Sequence, residues 1–169
     1  MIVQYTAAAL VNDLATRAHP ASVYSIPTSA NAEDHVSMGA NEARHVLEMT
    51  EDLGHVLALE LYTAAQALEY RQDMLNAARG MAQRASVDEL AAKVCGAPAA
   101  GHPEHQQFID EVDALRRALA SAGEFHAGAA VRRTHERIRT HVPFMVRDRA
   151  MDQDVRRMTE LIASRELLR

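Results

Sequence analysis

MGANEARHVLEMTEDLGHVLALELYTAAQALEYRQDMLNAARGMAQR, residues 38–84, carries apolar side chains in steps of three and four: Val46, Met49, Leu53, Val56, Leu57, Leu61, Ala64, Leu68, Leu75 and Met81. That spacing is the period of an α-helix. No proline interrupts it, and Ser37 or Asn41 is expected to cap its start. Ala58, Leu59, Ala65 and Ala67 widen the stripe until the middle is apolar most of the way round. A helix of that kind is buried among other helices. It would be about 70 Å long, more than the width of a small domain. Segments beyond one domain of 169 residues are therefore expected to cover it. Gly54 costs ~1 kcal/mol relative to alanine inside a helix and is expected to mark a close helix crossing.

Working outward, residues 1–16 repeat Ile2, Tyr5, Ala9, Leu10 and Leu14 at helical spacing. No polar capping residue precedes them, so Met1 is expected to be an internal residue where a fragment begins. Downstream, Ser86-Val87-Asp88-Glu89 is a capping box that opens a short helix to Val94, ended by Gly96. CGAPAAGHPE is a breaker-rich connector. Residues 104–121 place Phe108, Ile109, Val112, Leu115 and Leu119 on one helical face. A turn near Gly123 leads to another helix ending about His141 ahead of Pro143. Asp152 is expected to cap a last helix carrying Val155, Met158, Leu161 and Ile162. No alternating strand pattern or internal repeat occurs. The fold class is all-α, a long-helix bundle.

Bulk properties narrow the function. A net charge of −5 leaves no electrostatic footprint for nucleic acid or an anionic membrane. Only 4% of residues are aromatic and none is Trp, which removes a stacking platform for bases. No apolar run approaches the ~20 residues that span a bilayer, and the N-terminus lacks a secretory pattern. Cys95 stands alone, which precludes an intrachain disulfide and fits a reducing compartment. A cytoplasmic location is expected, with neither nucleic acid nor membrane as partner.

One segment escapes both helical and strand periods: HPASVYSIPTSANAEDHVSMG, residues 19–39. Pro20 and Pro27 remove backbone donors, and Ser22, Ser25, Thr28, Ser29 and Asn31 compete for nearby backbone groups. So long a connection is unusual unless functional. Val23, Ile26, Val36 and Met38 argue for a packed loop rather than a linker, with Glu33-Asp34-His35 as the presented groups. The segment resembles the C-terminal half of histidine ammonia-lyases, which eliminate ammonia from an amino acid using a methylidene-imidazolone (MIO) group. It follows that family's pattern at nearly every position, departing at Tyr24, where Asp is usual, and at Ala32, where Gln is usual. The likeness continues in MIVQYTAAALV at the start and LALELYTAAQALEYR at 57–71, and resumes in VPFMVRDRAMDQDV at 142–155.

The resemblance implies a portion of the ammonia-lyase superhelical bundle, divided as helix 1–16, active-site loop 17–37, long helix 38–84, helical insertion 85–146 and terminal helix 147–169. It implies L-histidine as substrate, urocanate and ammonia as products, and a homotetramer completed by an absent N-terminal half. Glu33 is the expected catalytic residue, with Asn31, Ala32 and Glu33 binding substrate. A carboxylate there pairs with an imidazole that gains charge and disfavours a phenyl ring, which has no donor. Asn31 is expected to turn the backbone, or else to line the pocket. Asp34 and His35 are expected to bond the loop rather than act as an acid–base pair.

The MIO-forming Ala-Ser-Gly is not encoded: Ala120-Ser121-Ala122-Gly123 is the nearest match, and an alanine interrupts it. The family's tyrosine base also belongs to the other half, so this chain alone is expected to be inactive. Ala32 keeps open a lyase or 2,3-aminomutase for another aromatic amino acid, and a truncated, inert helical module is the non-enzymatic alternative. No metal is expected. His102 and His105 flank Pro103 in a breaker region, without the spacing of a zinc site. Arg132, Arg133, Arg137 and Arg139 are expected to salt-bridge Glu124 and Glu136 on a wet face.

Overall fold

The computed structural model describes residues 2–168. Six α-helices occur among them: α1 (Ile2–Arg17), α2 (Gly39–Arg84), α3 (Val87–Ala91), α4 (His105–Ser121), α5 (Ala129–His141) and α6 (Asp152–Ala163). The long helix covers the expected span almost to the residue. Extended pairing among the described residues is limited to one isolated bridge, Thr28 with Glu33. The chain forms two compact units, one of Met1–Gln66 with Arg133–Arg169 and one of Ala67–Arg132.

The first unit has a core built on α2. Ala58, Tyr62 and Ala65 meet Ile138 and Val142 at the end of α5 and Met158 and Leu161 of α6. Two alanines a heptad apart flank Tyr62, so other helices can approach the α2 backbone closely. Gln66 then clamps the segment before α6: its side-chain amide donates to the Met145 carbonyl at 3.0 Å and accepts from the Met145 N–H at 3.1 Å. Arg149 finishes that segment. It donates to the buried Asp154 carboxylate at 3.1 and 2.7 Å and to the Pro143 carbonyl at 2.9 Å.

The second unit relies more on local ties. Glu89 N–H donates to Ser86 Oγ at 3.2 Å and Ser86 N–H to Glu89 Oε2 at 2.9 Å, the reciprocal box the sequence announces. Arg79 and Gln83 of α2 donate to the carbonyls of Ala122 and Ala120 at the end of α4. Arg71 lies over the Phe125 ring at 5.4 Å. Between α2, α3 and α4, Ala78, Met81, Ala82, Leu90, Val94, Val112, Leu115 and Leu119 line an apolar cleft of about 220 Å³. Ala82 and Ala91 are the only buried apolar residues among those described in this unit.

Two expectations are corrected. A Cβ built on Gly54 would meet nothing within 4 Å, so among the described residues no helix crosses closely there. Within the first unit the buried residues of α2 are Ala58, Leu59, Tyr62 and Ala65, whereas Leu53 and Leu57 of the expected stripe are exposed, as is Val46 at 61%. With most of the circumference apolar, periodicity cannot choose a face; the residues offered by α5 and α6 do. Arg137 and Arg139 donate to the carbonyls of Glu166 and Val142, and Glu124 pairs with His126. Two of the arginines of that run thus reach backbone carbonyls of the first unit.

Candidate active site

The segment between α1 and α2 leaves α1 at Arg17, whose guanidinium gathers three carboxylates: Asp13 at 2.8 Å, Asp52 at 2.7 Å and Glu48 at 3.7 Å. This ties the end of α1 to α2, although each pair is partly exposed and worth under about 1 kcal/mol. Ala21 N–H then donates to the Glu42 carboxylate in the first turn of α2. Two 3-10 turns follow, Ala21–Tyr24 and Ser29–Asn31. Pro20 and Pro27 account for the break between helices, since neither can donate to a preceding turn.

The second turn is the unusual element. Ser29, Ala30 and Asn31 have φ of +53°, +53° and +67°, three successive non-glycine residues in the left-handed region. L-residues there crowd Cβ against the backbone at a cost of about 1–2 kcal/mol each, less for Asn. The geometry persists because the turn is closed at its base. Thr28 N–H donates to the Glu33 carbonyl and Glu33 N–H to the Thr28 carbonyl, each at 3.3 Å. Thr28 Oγ1 donates to Glu33 Oε2 at 2.9 Å. One side of the Glu33 carboxylate is thereby fixed, and its other lone pairs face out from an exposed residue.

Asn31 contributes to the turn through its left-handed backbone, and Ala32, at φ −75°, closes it by donating its N–H to the Ser29 carbonyl at 3.0 Å. Asp34 Oδ1 accepts from His35 N–H at 2.8 Å, and His35 Nδ1 donates to the Ser25 carbonyl at 2.9 Å. Both side chains brace the loop. The packing expected of the loop's apolar residues is not found: Val23 and Ile26 are 66% and 65% exposed, and Ser25 is the buried residue. A neighbouring cleft of about 410 Å³ is lined by Thr16, His19, Ala21, Tyr24, Met38, Asn41, Arg44 and His45. Asn31, Ala32 and Glu33 stand outside it. Tyr24 meets His19 edge to face, with ring centroids 6.3 Å apart.

Sequence reasoning missed the left-handed run, for which Asn31 was the only residue-type signal, and the Arg17 cluster, which the i,i+4 pair Asp13–Arg17 announces. His105 Nδ1 donates to the Pro98 carbonyl at 2.9 Å, and His102 Nδ1 accepts from Glu104 N–H, so both imidazoles serve their turn. Among the described residues no helix is long and apolar enough to cross a membrane.

Part of the chain is similar to known proteins. The chain is 61% identical over 72 residues to a histidine ammonia-lyase from Natranaerobius thermophilus, covering 43% of this chain and 14% of that protein. It is 58% identical over 71 residues to the enzyme of that name from Shouchella clausii, covering 42% and 14%. The match to that from Deinococcus radiodurans is 54% over 81 residues, covering 48% and 15%. The aligned part thus spans about one seventh of the curated relatives it matches. The model of the family described as aromatic amino acid lyase matches residues 1–92, which contain α1, the strained turn, the whole of α2 and α3. The chain belongs to the aromatic amino acid lyase family.

Proposed function

We propose that this chain is the C-terminal part of a histidine ammonia-lyase-like enzyme, which converts L-histidine to urocanate and ammonia in the cytoplasm as a homotetramer. In that assembly the Thr28–Glu33 turn faces the substrate. The observation that carries the proposal is the turn's conformation: three left-handed residues without glycine, closed by two backbone bonds and one hydroxyl–carboxylate bond. Backbone strain concentrates where structure must hold a group in one place. The group held here is the Glu33 carboxylate, in a segment similar to proteins named histidine ammonia-lyases. Glu33 pairs with the substrate imidazole and holds or exchanges its ring proton, while Asn31 and Ala32 border the same ring.

The residues of this chain do not fit the MIO group. In the nearest match to the tripeptide, Ser121 Oγ donates to the Ala118 carbonyl at 3.1 Å, and the Ala120 and Ala122 carbonyls accept from Gln83 and Arg79. These atoms finish a helix. The electrophile therefore comes from another segment of the complete enzyme.

The test uses the complete polypeptide that contains this segment. Glu33→Gln is expected to lower kcat/KM for histidine about 100-fold, and to erode its preference over phenylalanine in a panel of aromatic amino acids. The purified 169-residue chain alone is expected to form no urocanate. Unchanged histidine kinetics in Glu33→Gln would overturn the role of Glu33. A stronger preference for another aromatic amino acid, or a β-amino acid product, would favour the alternative that Ala32 raises. Urocanate formed by the isolated chain would overturn the assignment of the electrophile elsewhere.

A further inference from the structure

Thr28 is the one residue that grips Glu33 from three directions. Its N–H and carbonyl exchange bonds with the Glu33 backbone, and its hydroxyl donates to Glu33 Oε2. The backbone pair fixes where the Glu33 Cα sits, and the hydroxyl selects which way the carboxylate points from it. An exposed glutamate with neither restraint would sample several rotamers, and ordering it at each substrate encounter costs entropy. A carboxylate already held in one orientation avoids that cost when it meets a ring N–H. The left-handed run between the two residues keeps the span short enough for the hydroxyl to reach.

We infer that Thr28 is a positioning residue for the Glu33 carboxylate, acting through its hydroxyl. The inference rests on the substrate-facing role of Glu33 proposed above. Thr28→Val preserves the β-branched shape and suits the extended backbone at this position (φ −122°), so it removes only the donor. Thr28→Ser keeps the donor and loses a methyl.

Two measurements test it. In the 169-residue chain, NMR side-chain couplings report the Glu33 χ1 populations. One rotamer is expected to dominate in the unsubstituted chain and in Thr28→Ser, and averaging is expected in Thr28→Val. In the complete enzyme, Thr28→Val is expected to lower kcat/KM for histidine roughly tenfold, equivalent to about 1.4 kcal/mol. Thr28→Ser restores it, and Thr28→Val adds nothing once Glu33 is Gln. A Glu33 rotamer indifferent to Thr28→Val, or wild-type kinetics in Thr28→Val while Glu33→Gln is impaired, overturns the positioning role alone. Wild-type kinetics in Glu33→Gln overturn the parent proposal and this one with it.

Discussion

The two compact units are held together by different means. In the first, seven buried side chains from α2, α6 and the end of α5 form one cluster. In the second, two alanines are the buried apolar residues described, and the helices are tied by a capping box, by side chains reaching helix-end carbonyls and by an open apolar seam. The unit with the denser core is also the one whose chain includes the strained turn. A turn that stores several unfavourable dihedrals needs a base that does not yield. The cost of three left-handed residues is tolerable only where the surrounding structure exceeds it. The second unit has no such demand placed on it.

That contrast is most exposed to failure at Met158, which is fully buried in the first unit. Met158→Ala should destabilise the chain by about 2–5 kcal/mol in urea unfolding followed by circular dichroism. Leu115→Ala in the seam of the second unit, where the side chain is already exposed, serves as the control and should shift stability by less than about 0.5 kcal/mol. Equal losses would erase the distinction.

A smaller effect is expected at Ser86. Ser86→Ala removes one half of the capping box and should cost about 1 kcal/mol, with faster amide exchange confined to α3. Matching acceleration in α6 would show the two units opening as one.

The smallest effect appears only in alkali. Tyr62 is held above the ordinary tyrosine value of 10.0, first by burial, then by the Asp154 charge and a hydrogen bond to it, against the opposing pull of Arg149 and Arg139. The unfolded chain therefore releases this proton at lower pH than the folded one. Stability from Tyr62 is complete below about pH 10 and is lost as pH rises from there through its raised folded value. Tyr62→Phe should flatten that alkaline decline and leave the neutral-pH slope alone. An unchanged decline would remove Tyr62 from the first unit's linkage.

How much of this was legible beforehand differs by element. The extent of α2, the capping box at Ser86 and the helix ending ahead of Pro143 follow from local chemistry, and the structure returns all three. The buried face of α2 does not follow, because Leu57 and Ala58 are both apolar and only the side chains of α5 and α6 decide between them. The irregularity of the Pro20–Met38 segment was written in its prolines and short polar residues. Its left-handed tip was not, since Ser29 and Ala30 carry no mark of that conformation. Asp34 and His35 could be read as loop braces because neighbours in sequence rarely face each other, and their bonds to His35 N–H and Ser25 follow that logic.

The tip's backbone also bears on how such a loop can diversify. Ser29, Ala30 and Asn31 occupy a conformation that bulky and β-branched residues enter only at a penalty, so few replacements are open to them. Ala32 has an ordinary right-handed backbone, and Tyr24 closes an ordinary 3-10 turn. Both positions accept almost any side chain without disturbing the tip. They are also the two at which the chain departs from the pattern it otherwise follows. A changed side chain at either shoulder of the loop therefore leaves the mounting of the Glu33 carboxylate as it is.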